Sequence, residues 1–192
     1  MSRFRRPEED QWIKRAQDGD DTAFASLVEA YQMPVFNLCY RLLGDRFEAE
    51  DAAQETFLRA HRSIRRYDAK RRFINWLLAI ASNHCIDRLR KRRVSFVSLE
   101  TERPTLGSVP EPEAAFVETE TAAKLQRLLA SLAPKDRAAI VLFYWYELTL
   151  KEIGATLKMS ESAVKTRLHR ARRSLADAWS EDERAMNQLE VA

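Results

Sequence analysis

Hydroxyl, imidazole and guanidinium groups fall on one face of a helix that the sequence predicts near its C-terminal end. At about 100° per residue, Val164, Leu168 and Ala171 form an apolar stripe along this helix. The polar face opposite and its flanks carry Ser162, Lys165, Thr166, Arg167, His169, Arg170 and Arg173. These groups can reach base edges in a DNA major groove while flanking cations meet phosphates. The alternative is the solvated basic surface of a structural helix.

A tight turn joins this basic helix to a shorter helix before it. Thr149 and Glu152 have the S/T-x-x-E spacing of a capping box, so the start of the shorter helix is closely defined. Ser160 can cap the basic helix. The pattern is typical of a helix-turn-helix and disfavours the solvated-surface alternative. Lys158 stands in the turn, where glycine would adopt a left-handed conformation more easily, so some strain or a different turn is expected.

A second predicted helix, over residues 51–64, has two unlike faces. Ala53, Phe57 and Ala60 fall on one side and predict its buried face. The opposite side carries Asp51, Gln54, Glu55, Leu58 and Arg62. A leucine ringed by polar groups indicates a protein-binding patch, although single exposed leucines are common.

A third predicted helix, beginning at Phe73, is flanked by clusters of basic residues. Its second stripe holds Trp76, Asn83, Asp87 and Arg90; Tyr67, Arg71 and Arg72 precede the helix, and Lys91 lies in its last turns. Cations beside an aromatic ring and an amide suit single-stranded nucleic acid, because bases stack on aromatic rings. Trp76 could equally well be a core residue.

Composition predicts a helical protein with segregated charge. The 192 residues are 45% hydrophobic and include only 4 glycines and 6 prolines, which disfavours a sheet of short strands and tight turns. The net charge of +3 divides into +5 over residues 1–93, −5 over 94–123, +6 over 124–179 and −3 beyond. Two basic blocks around an acidic connector suit two modules that each meet a polyanion.

We therefore expect an all-α fold of two small helical domains joined by a flexible linker. The predicted units are an N-terminal bundle (1–93), an acidic linker (94–121), a helix-turn-helix domain (122–180) and a tail (181–192). Within the bundle, a helix begins near Asp21, is kinked or restarted at Pro34 and ends at Gly44. Further helices are expected from about Phe47 to Tyr67 and from about Phe73 to Arg93.

The sequence offers little to support a metal site, a cofactor or a membrane span. Cys39 and Cys85 fall in apolar stripes and are predicted to be core thiols, which disfavours a disulfide framework or a structural zinc. His61, His84 and His169 have no ligand spacing. No apolar run approaches the roughly 20 residues that span a bilayer, and the start is charged. We expect a cytoplasmic protein.

Three blocks of residues resemble the bacterial sigma factors, specifically the extracytoplasmic-function (ECF) group. A D-x-x-Q-E-x-F-L-R block begins at Asp51, and an F-x-x-W-L-x-x-I-A-x-N-x-x-x-D-x-x-R block begins at Phe73. A third pattern, L-x-E-I-G from Leu150 followed by V-K-x-R-L-x-R-A-R from Val164, completes the set. The blocks stand in the order and at the separation found in that family.

The resemblance implies a role for each predicted face. The first block would dock on the clamp coiled-coil of the RNA polymerase β′ subunit through Asp51, Gln54, Glu55, Leu58 and Arg62. The second would read the promoter minus-ten element through Tyr67, Arg71, Arg72, Trp76, Asn83, Asp87, Arg90 and Lys91. The helix-turn-helix would read the minus-thirty-five element, and the polymerase β flap and an anti-sigma factor are the further partners implied. Such a protein promotes DNA melting and initiation and is not itself an enzyme.

Two other classes remain as alternatives. A stand-alone helix-turn-helix regulator would bind an operator by itself, usually as a symmetric dimer, and would leave the second basic helix unexplained. A nuclease or recombinase would need an activated nucleophile or clustered carboxylates, and the Glu8–Asp10 run does not supply them convincingly.

Overall fold

The chain folds as a set of packed helices, as the sequence predicts. A computed structural model describes the backbone of residues 7–98 and 120–189 and the side chains of residues 7–92 and 122–180. In these ranges the elements are α1 (Glu9–Gln17), α2 (Asp21–Leu43), α3 (Arg46–Ser63), a 3-10 turn (Ile64–Arg66), α4 (Phe73–Ser98), α5 (Glu120–Ser131), α6 (Pro134–Tyr144), α7 (Leu150–Leu157) and α8 (Glu161–Leu189). Most of the predicted linker lies outside the described residues.

Local capping signals set the ends of α2 and the start of α3. The Asp20 carboxylate accepts hydrogen bonds from the backbone N–H groups of Thr22 and Ala23, at 2.9 and 3.1 Å. Gly44 ends the helix with a left-handed φ of 82°, which glycine adopts without a Cβ clash. Asp45 then caps α3 through the N–H of Glu48. The predicted start near Asp21 and stop at Gly44 are both confirmed.

Helix α2 continues through Pro34, so of the kink or restart predicted at this proline, the restart is wrong. Proline removes one backbone donor and crowds the preceding turn, which usually interrupts a helix. Here Tyr31 and Val35, on either side of the proline, are both almost completely buried. Burial of this apolar face against neighbouring helices holds one continuous helix despite the missing hydrogen bond.

Two predicted helix ends differ from the structure, and a third helix runs past a predicted domain boundary. Helix α3 ends at Ser63 and a 3-10 turn replaces its expected last residues before Tyr67. Helix α4 runs on to Ser98 rather than Arg93, and α8 runs to Leu189, into the predicted tail. The residues just beyond Arg93 and Ser180 include neither glycine nor proline, so local sequence supplied no stop signal for α4 or α8 there.

Helix α1 was not predicted, because few apolar residues mark it. Ile13 and Ala16 are buried, but most of its other side chains are charged or polar. Glu9 is also buried, and the hydroxyl of Tyr31 in α2 donates a hydrogen bond to its carboxylate. A contact between residues this far apart in sequence holds α1 in place, and periodicity cannot reveal it.

Helices α1 to α4 form an N-terminal module and α5 to α8 a C-terminal module. Helices α2, α3 and α4 pack on one another around Leu27, Leu38 and Leu77. Helices α6, α7 and α8 pack around Leu142 and Ile153. The buried residues of both modules form one continuous cluster, so the modules lie against each other rather than apart.

Cys39 and Cys85 lie in the core of the N-terminal module, as predicted. Both side chains are buried free thiols, on α2 and α4. A hydrogen bond with Cys85 raises the pKa of Cys39, and burial of the thiol raises it further. The thiol therefore stays protonated and behaves as an apolar packing group.

The turn between α7 and α8 needs a glycine, but at Gly154 rather than at the turn itself. Lys158 adopts the left-handed conformation with φ 54°, and the Met159 N–H then donates to the Gly154 carbonyl at 2.9 Å. A Cβ added to Gly154 would lie 2.7 Å from the Met159 carbonyl oxygen. The chain thus accepts a strained lysine in the turn and excludes a side chain at Gly154.

We predict that Gly154→Ala destabilises the protein by about 1–3 kcal/mol, because a methyl group would be forced against backbone. Helix propensity alone predicts the opposite sign, a gain of up to about 1 kcal/mol. Urea unfolding followed by circular dichroism measures the difference. A more stable Gly154→Ala variant would show that the turn can relax around the added methyl group.

Candidate functional site

The candidate groove-facing surface lies on α8. Val164, Leu168 and Ala171 are buried, as the apolar stripe predicts. The exposed side chains of the predicted polar face are Ser162, Lys165, Thr166, His169, Arg170 and Arg173. Ser160 caps the helix by accepting the Ala163 N–H at 3.2 Å. The helix-turn-helix therefore presents hydroxyl, imidazole and cationic groups to solvent from one rigid element.

Two arginines of this surface are tied to a carboxylate on α6. Asp136 is 4% exposed. Its Oδ1 accepts from Arg167 Nη1 at 2.7 Å, and its two oxygens accept from Nε and Nη2 of Arg170 at 2.7–2.9 Å. A buried carboxylate needs such pairing, because an uncompensated charge in the interior is costly. Sequence reasoning missed Asp136, which reads as an ordinary acidic residue in a first helical turn.

The predicted protein-binding patch is an exposed stripe along α3. Leu58 is 53% exposed, and Asp51, Gln54 and Arg62 are exposed beside it. Glu55 accepts a hydrogen bond from Arg59 at 2.7 Å, which lowers the pKa of the Glu55 carboxyl. The patch therefore presents an exposed apolar side chain surrounded by polar and charged groups.

Phe47 extends this patch, and sequence reasoning did not select it. Its side chain is 68% exposed at the start of α3. Phe47, Asp51, Gln54 and Leu58 are spaced by four, three and four residues, so they share a strip about 60° wide. We call these four residues the α3 stripe. This spacing matches the seam along which one helix packs on another. Phe47 lies eleven residues, or about three helical turns, before Leu58, and this spacing could have revealed it.

The predicted minus-ten residues are only partly brought together. Arg71 and Arg72 are exposed before α4, and Asp87, Arg90 and Lys91 are exposed near its far end. Tyr67 is only 7% exposed. Its ring centroid lies 5.3 Å from that of Phe73 and 5.1 Å from that of Trp76. Trp76 is half-buried in this cluster, so neither ring stands free as a stacking platform in this conformation.

The loop before α4 is held by contacts that the sequence did not suggest. Gln17, at the end of α1, donates to the carbonyls of Ile64 and Tyr67 at 3.1 and 3.0 Å. The Tyr67 hydroxyl donates to the Arg71 carbonyl. The unpredicted helix α1 therefore positions the basic loop that leads into α4.

Asn83, the predicted base-contacting amide, lies against the C-terminal module. Its Nδ2 donates to the Thr156 carbonyl of α7 at 3.1 Å and to the Ala79 carbonyl at 2.6 Å. Eight residues earlier on α4, Asn75 donates to the Glu152 carboxylate at 2.7 Å. Helix α7 thus covers the part of α4 that carries both amides.

A second set of bonds joins α5, α6 and the following loop to α2. Gln126 donates to the Tyr40 carbonyl at 2.8 Å, and Arg137 donates to the Leu42 carbonyl at 2.5 Å. The Tyr146 hydroxyl donates to the Pro34 carbonyl at 2.5 Å, and burial raises the pKa of that phenol, which remains a donor. The Leu42 carbonyl lies in the last turn of α2, where no intrahelical N–H remains for it, so the bond from Arg137 satisfies it.

Glu152 links the capping box to the contact between the modules. It accepts from the backbone N–H and hydroxyl of Thr149, at 2.9 and 2.8 Å, which confirms the predicted box. Burial raises the pKa of Glu152, but the hydrogen bonds from Thr149 and Asn75 and the charge of Arg72 outweigh it and lower the pKa overall. One carboxylate therefore stabilises both a helix start and the α4–α7 contact in its ionised form.

Across the described residues, no cluster of three or more His, Cys, Asp or Glu side chains could hold a metal ion. Within the same ranges, none of the helices has the length and apolarity needed to cross a bilayer.

The fold and these surfaces define an all-helical protein of two modules, the second built on a helix-turn-helix. Residues 27–94 match the model of Sigma-70 region 2, and residues 122–175 match that of Sigma-70, region 4. The ECF RNA polymerase sigma factor SigW of Bacillus subtilis (strain 168) is 42% identical over 172 residues, covering 85% of this chain and 92% of that protein. The chain belongs to the ECF RNA polymerase sigma factors.

Solved structures share the fold over most of the chain. CnrH in complex with the cytosolic domain of CnrY matches with a TM-score of 0.67 and 24% identity, over 91% of this chain and 98% of that one. The sigma factor RpoE in complex with the anti-sigma factor NepR from Bartonella quintana matches with a TM-score of 0.65 and 18% identity, over 82% and 96% of the two chains. At these identities the likeness concerns the fold.

We predict that Glu152→Gln destabilises the protein at neutral pH, and that the difference from wild type shrinks as the pH falls. The folded-state pKa of Glu152 is lowered. Its ionised form therefore contributes stability above the unfolded-state pKa, and this contribution is lost as the pH falls through the folded value. Urea unfolding at several pH values measures both curves. The exposed Glu147, replaced by Gln, is the control; parallel curves for wild type and Glu152→Gln would contradict the assignment.

Proposed function

We propose that this chain docks on core RNA polymerase through α3 and reads promoter DNA with α4 and α8, so that it directs the enzyme to start sites. The observation that carries the proposal is the presence, on one chain, of an exposed apolar stripe and a separate basic helix-turn-helix face. A stand-alone regulator would use the helix-turn-helix face but would leave the basic residues around α4 unexplained. The family matches in both modules favour the sigma factor.

Docking would use the α3 stripe together with Glu55 and Arg62. An exposed phenylalanine and leucine at helix-packing spacing, separated by an acid and an amide, suit the side of another helix. The β′ clamp coiled-coil is such a partner. We assign Phe47 to this contact on its exposure and position, in addition to the residues that the sequence motif indicates.

Recognition of the minus-thirty-five element would use the exposed face of α8. A rigid helix with hydroxyl, imidazole and guanidinium groups on its solvent side can lie in a major groove, where such groups read base edges. Ser162, Thr166 and His169 lie on this side, with Lys165 and Arg173 placed to meet phosphates or bases. Arg167 and Arg170 reach the same surface from their pairing with Asp136.

Recognition of the minus-ten element would use the basic loop before α4, Asn83 and the exposed charges farther along the helix. Helix α7 lies on the amide that would contact a base, so the C-terminal module must move off α4 before single-stranded DNA can bind there. The α3 stripe is exposed in the same conformation, so polymerase can dock first.

An anti-sigma factor is a further inferred partner. RpoE of Bartonella quintana was solved with the anti-sigma factor NepR. In this chain, an inhibitor that covered the α3 stripe would block polymerase docking, and the two exposed apolar side chains give it area to bury. We infer that the chain itself catalyses no reaction, and that it acts in the cytoplasm, where bacterial RNA polymerase works.

Transcription in vitro tests the proposed function directly. Purified chain added to core RNA polymerase, with genomic DNA as template, should produce transcripts that start at a defined set of sites and share upstream elements. The same core enzyme without the chain is the control. Tight binding of the chain alone to a palindromic operator, without any start-site selection by the core, would instead favour the regulator.

We predict that Leu58→Asp and Phe47→Asp each weaken binding to core polymerase by about thirtyfold or more, since losing a central interface contact costs about 2 kcal/mol. Both side chains are exposed, so the free energy of unfolding should change by no more than about 0.5 kcal/mol. Fluorescence anisotropy with labelled chain measures binding.

Met33→Asp is the matched control for these variants, because Met33 is 59% exposed but lies on α2. It should bind polymerase like wild type. Equal weakening in all three variants would show a general charge effect, and unfolding of Leu58→Asp would place that residue in the structural core.

A further inference from the structure

Asp136 on α6 pairs with two arginines of α8, Arg167 and Arg170, although a single ion pair would be enough to attach one helix to the other. The Asp136 side chain is 5% exposed, whereas those of Arg167 and Arg170 are 30% and 59% exposed. The carboxylate is therefore fixed inside the C-terminal module while both guanidinium groups extend to its surface. One buried anion sets the position of two surface cations.

The geometry of Arg170 leaves one side of its guanidinium directed away from the carboxylate. The bonds to Asp136 use Nε and Nη2. Because the group is planar, the edge formed by these two nitrogens faces α6 and Nη1 lies on the other side. His169 and Arg173, its neighbours on the α8 surface, are exposed. Arg170 thus presents a donor of fixed direction within that surface.

We propose that Asp136 is a positioning residue for promoter recognition, which holds Arg167 and Arg170 so that they meet duplex DNA as fixed donors rather than as mobile cations. This inference rests on the proposed role of α8. An arginine free to rotate can follow any phosphate and binds all sequences alike, whereas a fixed guanidinium fits only a base edge in the matching place. Asp136 therefore favours discrimination over general affinity.

A purely structural ion pair makes different predictions. If Asp136 only attached α6 to α8, its loss would lower the stability of the fold and leave the salt dependence of DNA binding unchanged. If it restrains the arginines, its loss releases cations that can neutralise phosphates. Each additional neutralised phosphate steepens the fall of log affinity with log salt concentration by about 0.9.

The test measures binding of the full-length chain to a fluorescein-labelled duplex of random sequence over a series of salt concentrations. Asp136→Asn keeps the shape of the side chain and removes its charge. We expect the salt dependence to steepen by about 0.9 to 1.8, corresponding to one or two released arginines, with tighter binding at low salt. Adding Arg170→Ala to this variant should return much of the slope towards wild type.

Two further variants keep the outcome decisive. Glu147→Gln makes the same change of net charge at an exposed loop position and should leave the slope unchanged; an equal change in both variants would overturn the proposal. Arg170→Lys leaves Asp136 paired with Arg167 but cannot form the two-nitrogen edge, so it should also steepen the slope even if Asp136→Asn fails to fold. If every folded variant has a lower melting temperature but an unaltered salt dependence of DNA binding, Asp136 has only a structural role.

The assay contains no polymerase, so its result is independent of the transcription test. If the chain selects start sites but the variants leave the salt dependence unchanged, the sigma factor function stands and the positioning role of Asp136 is wrong. If the chain selects no start sites, the proposed sigma factor function is wrong, whatever the salt dependence.

Discussion

Helix α4 is packed on two sides, and both modules depend on that arrangement. Its apolar residues, among them Leu77, Leu78 and Ala81, are buried in the core that it forms with α2 and α3. Its amides, Asn75 and Asn83, meet α7 on the other side. A helix with two buried sides has little freedom to shift, because displacement would open cavities and break polar contacts together. The basic loop before α4 and the α3 surface beside it are thereby fixed.

Local sequence predicted the structure correctly wherever residues that are close together in the chain determine it. Asp20 and Gly44 mark the ends of α2 because a carboxylate can accept the first free N–H groups and glycine can adopt a positive φ. The Thr149–Glu152 box was predictable for the same reason. The exposed and buried faces of α3 and α8 followed from helical periodicity, since both helices lie on a core with one side in solvent.

Contacts between residues far apart in the chain could not be predicted from local sequence. Asp136 and Arg170 are separated by 34 positions and Asn75 and Glu152 by 77, and no spacing rule relates such pairs. Continuity of α2 through Pro34 likewise depends on what packs against it. Tyr67 shows the limit for the candidate site: its position in the basic loop before the Phe73 motif suggested a role at DNA, but only the fold shows that its ring is buried against Phe73 and Trp76.

The single hydrophobic cluster that spans both modules governs how the free chain responds to partners. Pulling the modules apart would expose side chains such as Tyr146, which contacts Pro34 of α2, at about 25 cal/mol for each Å² of apolar surface uncovered. An extended form therefore gains stability only from partners that bind the separated modules better than the closed ones. The contact between the modules sets the free energy that such a partner has to supply before the extended form predominates.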